Sequence, residues 1–250
     1  MEAWQIEGID ALERSEYLNV LRRLVMSHAS PIWWYDNSRS VGTSILHSGT
    51  VSFVNAGADV FAVSAHHVYE QYLRDKAAHP SLKCQFGGVT VEPENYLIDS
   101  DKKLDLVTFG LPIVLAAATG ATIHNSPSWP PARLAQSDLV VLGGYPGNRR
   151  TEKTGFLDSD FVSFIGRITQ SSDDHASVYL NIPASHWPQG KHLEESPELG
   201  GMSGGPVFRL VADPIESLEF AGVMYEFHQT YELVLCSHAS VIRSDGTLEK

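Results

Sequence analysis

The sequence has 250 residues, of which 43% are hydrophobic and 19% charged, the composition of a globular protein with a substantial core. This composition excludes a disordered chain, a collagen-like repeat and a small disulfide scaffold. Lys and Arg number 18 against 30 Asp and Glu, so the formal net charge is −12 at pH 7. A negative charge of this size repels phosphate groups, so we expect neither nucleic acid nor an anionic membrane as the main partner.

The N-terminal segment and the cysteines indicate the compartment. Four acids, Glu2, Glu7, Asp10 and Glu13, stand where a secretion signal needs a basic start and an unbroken apolar run. With only two cysteines there is no disulfide framework. The uncharged residues 106–132 are interrupted by Gly and Pro, so we interpret them as a buried strand followed by a loop and not as a membrane span. We therefore expect a cytoplasmic protein without a secretion signal.

The hydrophobic pattern changes once along the chain. Over residues 9–26, apolar side chains recur at intervals of three and four, which predicts an amphipathic helix. After Pro31, short apolar or alternating runs separated by turn residues predict the strands of a barrel or sandwich. A helical pattern returns only at residues 68–74, and the proline-rich residues 125–132 predict a crossing between two halves. The predicted strands are residues 44–49, 50–55, 59–65, 89–98, 104–111, 139–147, 161–170, 176–183, 205–211, 220–227 and 231–241.

A glycine-rich segment, GGMSGGPVF at residues 200–208, surrounds Ser203. A serine hydroxyl is a weak nucleophile unless a base removes its proton and donors stabilise the oxyanion that forms. Glycines beside the serine allow a tight turn that directs consecutive N–H groups at one point. A glycine-rich turn that only joins two strands is the alternative interpretation.

Residues 201–205 also fit the G-x-S-x-G nucleophile elbow of α/β-hydrolases. An elbow serine leads into a helix, whereas here two glycines, Pro206 and a β-like run follow. Fewer than fifty residues remain downstream for an acid and a histidine. The base and the acid are therefore to be sought upstream of Ser203.

Two upstream segments supply these groups. VSAHHV places His66 and His67 where an apolar strand ends, and LDLVTF opens another apolar strand with Asp105. A carboxylate among apolar side chains needs hydrogen-bond donors, and a histidine N–H is a suitable one. Alone, such a histidine is more often a core or surface residue, and such an aspartate a cap. Their order of His, Asp and Ser indicates a catalytic triad.

These segments, with residues 42–46 and 144–147, resemble the trypsin-like (chymotrypsin-fold) serine peptidases, above all their disulfide-poor bacterial and intracellular members. The resemblance covers residues 32–241. It implies an all-β fold of two packed antiparallel β-barrels, preceded by the amphipathic helix within residues 1–30. The peptidase domain would be residues 31–250, with barrel one at about 31–124 and barrel two at about 133–243.

The resemblance also implies roles for single residues. Ser203 would be the nucleophile, His67 the general base and then acid, and Asp105 the group that orients His67. The backbone N–H groups of Gly201 and Ser203 would form the oxyanion hole. The family pattern selects His67 over His66. We interpret Asp99 and Asp101, which compete with Asp105, as solvated turn residues.

Some positions depart from the family. Met202 stands where secreted members carry an aspartate that pairs with a new amino terminus, so we expect no activation by N-terminal cleavage. Pro197 occupies the position that sets primary specificity, so no preference for basic side chains follows. Three acids lie in segments that could line the pocket, and we interpret them as solvated surface residues: Glu195, Glu198 and Glu226.

Other chemical motifs are weak. His66, His67 and Glu70 lack metal-site spacing, and we expect no metal and no cofactor. Cys236 and His238 would share a strand face, where core packing is the expected role. We expect Trp33 and Trp34, placed just before the first strand, to pack the N-terminal helix on the barrel.

The sequence thus predicts an intracellular serine endopeptidase with a regulatory or effector role, acting on a peptide or protein substrate through an acyl-enzyme. A protein activator that docks on the helix of residues 9–26 is a further expected partner. The alternative is a catalytically silent peptidase fold that binds peptides or acts as a scaffold. Two departures from the family favour that alternative: Met202, and Pro197 at the specificity position, from which no substrate preference follows.

Overall fold

A computed structural model describes residues 16–36, 45–126, 128–153, 156–180, 199–211 and 217–250. Several positions discussed above lie outside the described residues: residues 9–15 of the predicted helix, residues 42–44, Glu195, Pro197 and Glu198.

The first half of the chain forms an antiparallel sheet behind one helix, α1 (Glu16–Ser27). The sheet order is β5-β4-β1-β2-β3-β7-β6, and β8 adds a short parallel pairing to β2. Two more helices, α2 (His66–Ala78) and α3 (Ile113–Ala118), follow β3 and β7. The strands are β1 (Ala29–Asp36), β2 (Ile45–Asn55), β3 (Val60–Ala65), β4 (Leu82–Phe86), β5 (Val89–Val91), β6 (Leu97–Asp101), β7 (Leu106–Phe109) and β8 (His124–Asn125).

The second half forms a closed six-stranded barrel in the order β12-β13-β16-β15-β14-β9, with a separate hairpin β10-β11. Its strands are β9 (Leu139–Gly144), β10 (Arg150–Lys153), β11 (Phe156–Ser159), β12 (Val162–Ser171), β13 (His175–Tyr179), β14 (Pro206–Val211), β15 (Ser217–His228) and β16 (Leu233–His238). Short 3-10 turns lie at Pro93–Asn95, Gly147–Arg149, Gln229–Tyr231 and Ala239–Val241.

The predicted all-β class, with two packed antiparallel units behind a helix, is confirmed. One detail is corrected, because the first unit is a curled sheet whose edge strands do not pair within the described residues. Its edge strand β5 has only three residues and is followed by Pro93, which has no N–H to donate. The domain boundaries given above stay a prediction.

Local elements differ from the predictions at several places, among them the strands β1, β8, β10 and β11, which were not predicted. The predicted strand of residues 89–98 is divided into β5, a 3-10 turn and β6, and β4 was not predicted. α2 is longer than residues 68–74, since it begins at His66. Helix α3 lies within the stretch interpreted as strand and loop, because the run IVLAAA after Pro112 favours a helix.

The aromatic pair also lies elsewhere than expected. Trp33 and Trp34 belong to β1 and do not precede the first strand. The buried Trp34 packs edge-on against Tyr72 of α2, with ring centroids 5.8 Å apart. The prediction that this pair packs the N-terminal helix is therefore wrong for Trp34, whose ring lies in the core of the first sheet.

Helix α1 joins the two units. Leu21 and Val25, one turn apart, are buried in a core cluster that also contains Phe208 and Phe220 of the barrel. Burial of each such aliphatic side chain contributes about 1.5–3 kcal/mol. Leu24 belongs to the predicted apolar face of this helix but is 44% exposed. The side of the helix that packs against the two units is therefore narrower than the apolar side predicted from the sequence. None of the described helices combines the length and apolar character of a membrane span.

Candidate active site

Strand pairing brings His67 and Asp105 together. β3 and β7 are antiparallel neighbours, and Ala65 lies opposite Leu106. The residue after Ala65, His66, and the residue before Leu106, Asp105, therefore lie next to each other where the two strands end. The backbone N–H of His66 donates to the carbonyl oxygen of Asp105 at 3.1 Å. His67 then lies in the first turn of α2 with 47% of its side chain exposed.

The carboxylate of Asp105 binds His67 twice. Oδ2 lies 2.7 Å from Nδ1 of the ring, and Oδ1 accepts the backbone N–H of His67 at 2.8 Å. Because an ionised carboxylate only accepts hydrogen bonds, this contact favours the tautomer of His67 with the proton on Nδ1. Asp105 thereby also caps α2, whose own residue Ala65 offers no side-chain cap.

The competing residues have other surroundings. Nδ1 of His66 is buried and has no hydrogen-bond partner among the described residues. Asp101 accepts the N–H groups of Lys103 and Leu104, as expected of a turn residue. The interpretation of Asp99 as a solvated turn residue is wrong, because its carboxylate accepts the backbone N–H of Leu248 at 3.1 Å.

Ser203 lies in the segment of residues 199–205, which we call the serine loop. The loop is fastened to both halves of the molecule. On the side of the first sheet, the carbonyl oxygen of Ser203 accepts the N–H of Thr50 in β2 at 2.9 Å. On the barrel side, the N–H of Gly204 donates to the carbonyl oxygen of Met224 in β15 at 2.7 Å. These bonds hold Ser203 between the two units.

Gly204 is required by this close approach. Its φ is 91°, and a Cβ at this position would lie 2.0 Å from the carbonyl oxygen of Thr50 and 2.3 Å from Oγ of Ser64. No L side chain fits here, because both the backbone angle and the contact distance exclude it. The glycine that flanks the serine in the sequence motif therefore allows β2 to pass directly beneath the loop.

The hydroxyl of Ser203 donates to the carbonyl oxygen of Tyr225 at 3.1 Å. Among the described residues, His67 shares no hydrogen bond with it. A staggered rotation about the Cα–Cβ bond redirects a serine hydroxyl, and catalytic hydrogen bonds often tighten only when substrate is bound. The structure thus assembles Asp105 with His67 and leaves Ser203 on a different acceptor.

Two backbone donors of the serine loop have no acceptor among the described residues. Within the described ranges, the N–H groups of Gly201 and Ser203 donate to no acceptor, whereas that of Met202 donates to Leu199. Unpaired N–H groups separated by one residue in a tight loop suit the binding of a negatively charged oxygen. The side chain of Met202 is buried in the barrel core.

A small cavity of about 30 Å³ adjoins Ser203. Its walls are mainly apolar, and the carboxylate of Glu226, half-exposed and 3.4 Å from His228, is the charged group among its described lining residues. Besides Ser203, the lining residues are Leu199, Met202, Met224, Glu226, Phe227 and Val234. This arrangement favours an apolar side chain beside the serine.

Sequence reasoning missed Tyr225 and Thr50. Tyr225 contributes its carbonyl oxygen to Ser203, and its ring packs edge-on against His175 at 5.2 Å. Burial, with the nearby Cys236, Glu226 and Asp105, raises the pKa of Tyr225 to about 12, so its phenol stays neutral. Both residues lie inside strands, where no local pattern distinguishes them from ordinary strand residues.

The remaining candidates are occupied elsewhere. Burial raises the pKa of the Cys236 thiol to about 12, and Sγ lies 3.5 Å from the carbonyl oxygen of Ala176. The buried His238 accepts the N–H of Leu134 at 3.3 Å and lies 3.2 Å from the carbonyl oxygen of Ser172. The pair therefore fills the core of the barrel and offers no nucleophile. Glu70 forms an ion pair with Arg74.

No protein-family model matches the sequence, and no curated protein matches it. Solved structures are similar in fold. The serine protease domain of the Sesbania mosaic virus polyprotein is 14% identical, with a TM-score of 0.49 over 88% of this chain and 93% of that chain. The thermostable serine protease AL20 from an extremophilic microorganism is 12% identical, with a TM-score of 0.49 over 86% and 92%.

A third structure comes from work on the coupled folding and binding of the intrinsically disordered VPg protein of Sesbania mosaic virus. It is 16% identical, with a TM-score of 0.47 over 85% of this chain and 92% of that chain. Serine proteases, the class that the sequence motifs resemble, are thus among the solved structures with a similar fold.

Proposed function

We propose that this protein is a serine endopeptidase that cleaves peptide bonds through an acyl-enzyme on Ser203. The observation that carries the proposal is the double contact of Asp105 with His67, which fixes Nδ1 of the ring on the carboxylate and so favours the tautomer with the proton on Nδ1. A histidine with this tautomer is the base that a serine hydroxyl needs.

In the proposed reaction, the hydroxyl of Ser203 leaves the carbonyl of Tyr225 and turns to Nε2 of His67. Nε2 takes the proton while Oγ forms a bond to the substrate carbonyl carbon. His67 then gives the proton to the leaving amine as the peptide bond breaks. Water, deprotonated by His67, attacks the acyl-enzyme, and Ser203 regains its proton.

The negative oxygen of the tetrahedral intermediate would lie against the N–H groups of Gly201 and Ser203. Their lack of any acceptor within the described residues supports this role. Loss of one such donor typically removes about 2.7–4 kcal/mol of transition-state stabilisation. The apolar cavity beside Ser203 would take the side chain on the acyl side of the scissile bond, with a preference for apolar over charged residues.

We further propose that the protein acts in the cytoplasm, where a regulatory or effector protease cleaves a limited set of protein substrates. Cys84 and Cys236 are free and buried, so the described fold needs no disulfide. A partner that docks on α1 could control activity, because this helix contacts both units and the barrel core.

A second candidate is a catalytically silent peptidase fold that binds peptides. The bond from Ser203 to the carbonyl of Tyr225 favours this alternative, since the hydroxyl proton is then given to a carbonyl oxygen and not to His67.

A fluorophosphonate probe separates the two candidates, because it reacts with a serine only when a base and an oxyanion site are assembled. We expect one adduct, located on Ser203 by mass spectrometry, and none in Ser203→Ala. Ser217→Ala, which changes an exposed serine at the start of β15, is the matched control and should label like the wild type. A folded wild-type protein without an adduct would support the silent alternative.

A further inference from the structure

The side chain of Thr50, in β2, connects the first sheet to the serine loop. Its Oγ1 accepts the backbone N–H of Tyr145 at 3.0 Å and donates to the carbonyl oxygen of Gly201 at 3.1 Å. Thr50 is fully buried, and the proposed mechanism assigns it no role. Its hydroxyl therefore bonds directly to a residue that supplies one of the two proposed oxyanion donors.

The direction of these two hydrogen bonds follows from their partners. A backbone N–H only donates and a carbonyl oxygen only accepts, so the hydroxyl proton of Thr50 points at Gly201. The N–H of Tyr145 occupies a lone pair of Oγ1 and keeps the hydroxyl in this rotation. Among the described residues, Thr50 is the donor to the carbonyl of Gly201, and this bond involves no titratable group.

The two oxyanion donors are oriented by the carbonyl groups of their own peptide units. In a planar trans unit the C=O and the N–H point in opposite directions. The carbonyl of the unit that carries the N–H of Gly201 accepts the N–H of Gly147 at 2.6 Å. The carbonyl of the unit that carries the N–H of Ser203 accepts the N–H of Gly205 at 2.9 Å. Backbone contacts thus fix each donor within its own unit.

The peptide unit between these two units sets the angle between the donors. Its carbonyl belongs to Gly201 and is the group that Thr50 binds, while its N–H, on Met202, donates to Leu199 within the serine loop. Gly201 has a φ of 97°, and glycine adopts positive and negative φ about equally, so the local sequence does not hold this unit. Rotation of the unit would turn the N–H of Ser203 relative to that of Gly201. Thr50 opposes this rotation from outside the loop.

We propose that Thr50 is a positioning residue of the oxyanion hole. Its hydroxyl holds the carbonyl of Gly201, so that the N–H groups of Gly201 and Ser203 converge on one negatively charged oxygen. Donors that are held in place before the reaction cost no reorganisation when the charge develops. This inference rests on the proposed peptidase function and deepens it, because it identifies the side chain that keeps the two donors aligned.

The test compares side chains that differ in the hydroxyl. Thr50→Val has a similar shape and removes the hydroxyl, whereas Thr50→Ser keeps the hydroxyl without the methyl group. Thr50→Ala lacks both groups, so it differs from Thr50→Ser by one oxygen. Thr108→Val is the matched control, because Thr108 is equally buried in β7 and its hydroxyl donates to the carbonyl of Gly246 at 2.6 Å.

The effect of Thr50→Val should appear in kcat and not in KM, because the negative oxygen forms only in the transition state. Removal of a whole oxyanion donor lowers kcat by about 10²- to 10³-fold, and here the donors remain but lose their alignment, so we expect a loss of about ten- to a hundredfold. Thr50→Ser and Thr108→Val should keep kcat near the wild-type value. The pH dependence of kcat/KM should not change, since the contact of His67 with Asp105 is untouched.

A peptide trifluoromethyl ketone provides a readout that a loss of stability alone would not change. Oγ of Ser203 bonds to its carbonyl carbon, the hydroxyl proton passes to His67, and the carbonyl oxygen becomes negative in the oxyanion hole. We expect its inhibition constant to rise in Thr50→Val by the same factor by which kcat falls. The corresponding alcohol, which cannot be attacked, should inhibit all variants alike. Urea unfolding shows that each variant is folded.

The outcomes separate this inference from the proposed function. An unchanged kcat in Thr50→Val, or a higher KM at the same kcat, would overturn the role of Thr50 and leave the peptidase intact. An equal loss of kcat in Thr108→Val would do the same, because the loss would then come from a weakened fold. If Thr50→Val does not fold, equal kcat values of Thr50→Ala and Thr50→Ser would overturn it. A wild type with neither cleavage nor a fluorophosphonate adduct would remove the proposed function and this inference together.

Discussion

Asp105 holds His67 through two groups at once, the ring at 2.7 Å and the backbone N–H at 2.8 Å. One carboxylate therefore both orients the proposed base and caps the helix on which the base stands. Its own backbone has a φ of 49°, a region that Asp and Asn tolerate better than most residues. The site and the local fold depend on the same side chain.

Substitutions at Asp105 should separate these two roles. Asp105→Asn keeps an oxygen for the cap and tolerates the positive φ, so we expect little change in the free energy of unfolding. Its amide donates to Nδ1 and favours the wrong tautomer of His67, so the rate of peptide cleavage should fall by roughly four orders of magnitude. Urea unfolding and a peptidase assay measure the two effects.

Asp105→Ala should fail in both assays. Loss of the cap destabilises the fold by about 1 kcal/mol, and the positive φ adds roughly 1–2 kcal/mol for a residue other than Asp, Asn or Gly. If the Asn and Ala variants were equally destabilised, the capping role of the carboxylate would be wrong.

Gly204→Ala tests the close approach of β2 to the serine loop. A Cβ 2.0 Å from the carbonyl oxygen of Thr50, together with a φ of 91°, should lower the free energy of unfolding by about 2–4 kcal/mol. Gly200→Ala in the same loop is the control, because its Cβ would meet no atom of the described residues within 4 Å. Equal stability of the two variants in urea unfolding would contradict the observed geometry.

His124, which packs between the two units, should make the free energy of unfolding depend on pH. The ring of His124 packs against Phe208, with centroids 5.0 Å apart, and Nε2 is buried without a partner among the described residues. Burial, with the nearby His28, lowers the pKa of His124 to about 4, whereas the unfolded ring keeps 6.5. When the pH is lowered, the ring of His124 is therefore protonated in the unfolded chain at a higher pH than in the folded protein.

The contribution of His124 is complete above about pH 6.5 and is lost as the pH falls toward 4. The free energy of unfolding should decrease by up to about 3 kcal/mol from this ring over that range. Burial also lowers the pKa of His28, so this ring adds a decrease of the same sign. In His124→Phe the decrease measured by urea unfolding should be smaller, and an identical slope would remove His124 as its source.

The cavity beside Ser203 predicts primary specificity. Peptides with an apolar residue on the acyl side should be cleaved faster than those with Lys or Glu there. Phe227→Ala enlarges the cavity and should raise the Phe-to-Ala preference in kcat/KM by at least about tenfold, the scale of filling an apolar pocket. Tyr231→Ala, an exposed aromatic outside the cavity, is the control. A preference for Lys that depends on Glu226 would contradict this assignment.

Some features of the site were predictable from sequence because they have a local signature. The glycines around Ser203 indicate a tight loop, and the structure shows that no side chain fits at position 204 of this loop. His67 was predictable because an apolar strand ends at Ala65 and a helix follows. Asp105 was predictable from a single acid before a buried strand, although its contact with His67 depends on the pairing of β3 with β7.

Other features depend on contacts between distant segments. The carbonyl of Tyr225 reaches Ser203 only because β15 runs beside the serine loop, and the hydroxyl of Thr50 reaches Gly201 from the first sheet. The exposure of Leu24 could not be read from its apolar pattern, because the buried side of a helix depends on what packs against it. The first sheet is likewise open because its short edge strand β5 pairs only with β4 among the described residues, and no strand pattern in the sequence predicts this.

The central claim is that Ser203 is the nucleophile of a peptidase. The most direct measurement is the rate of peptide cleavage by the wild type and by Ser203→Ala, with products identified by mass spectrometry. We predict cleavage by the wild type and a loss of about six orders of magnitude in the variant, because triad members act as a unit. Cleavage that persists in a folded Ser203→Ala protein would contradict the account.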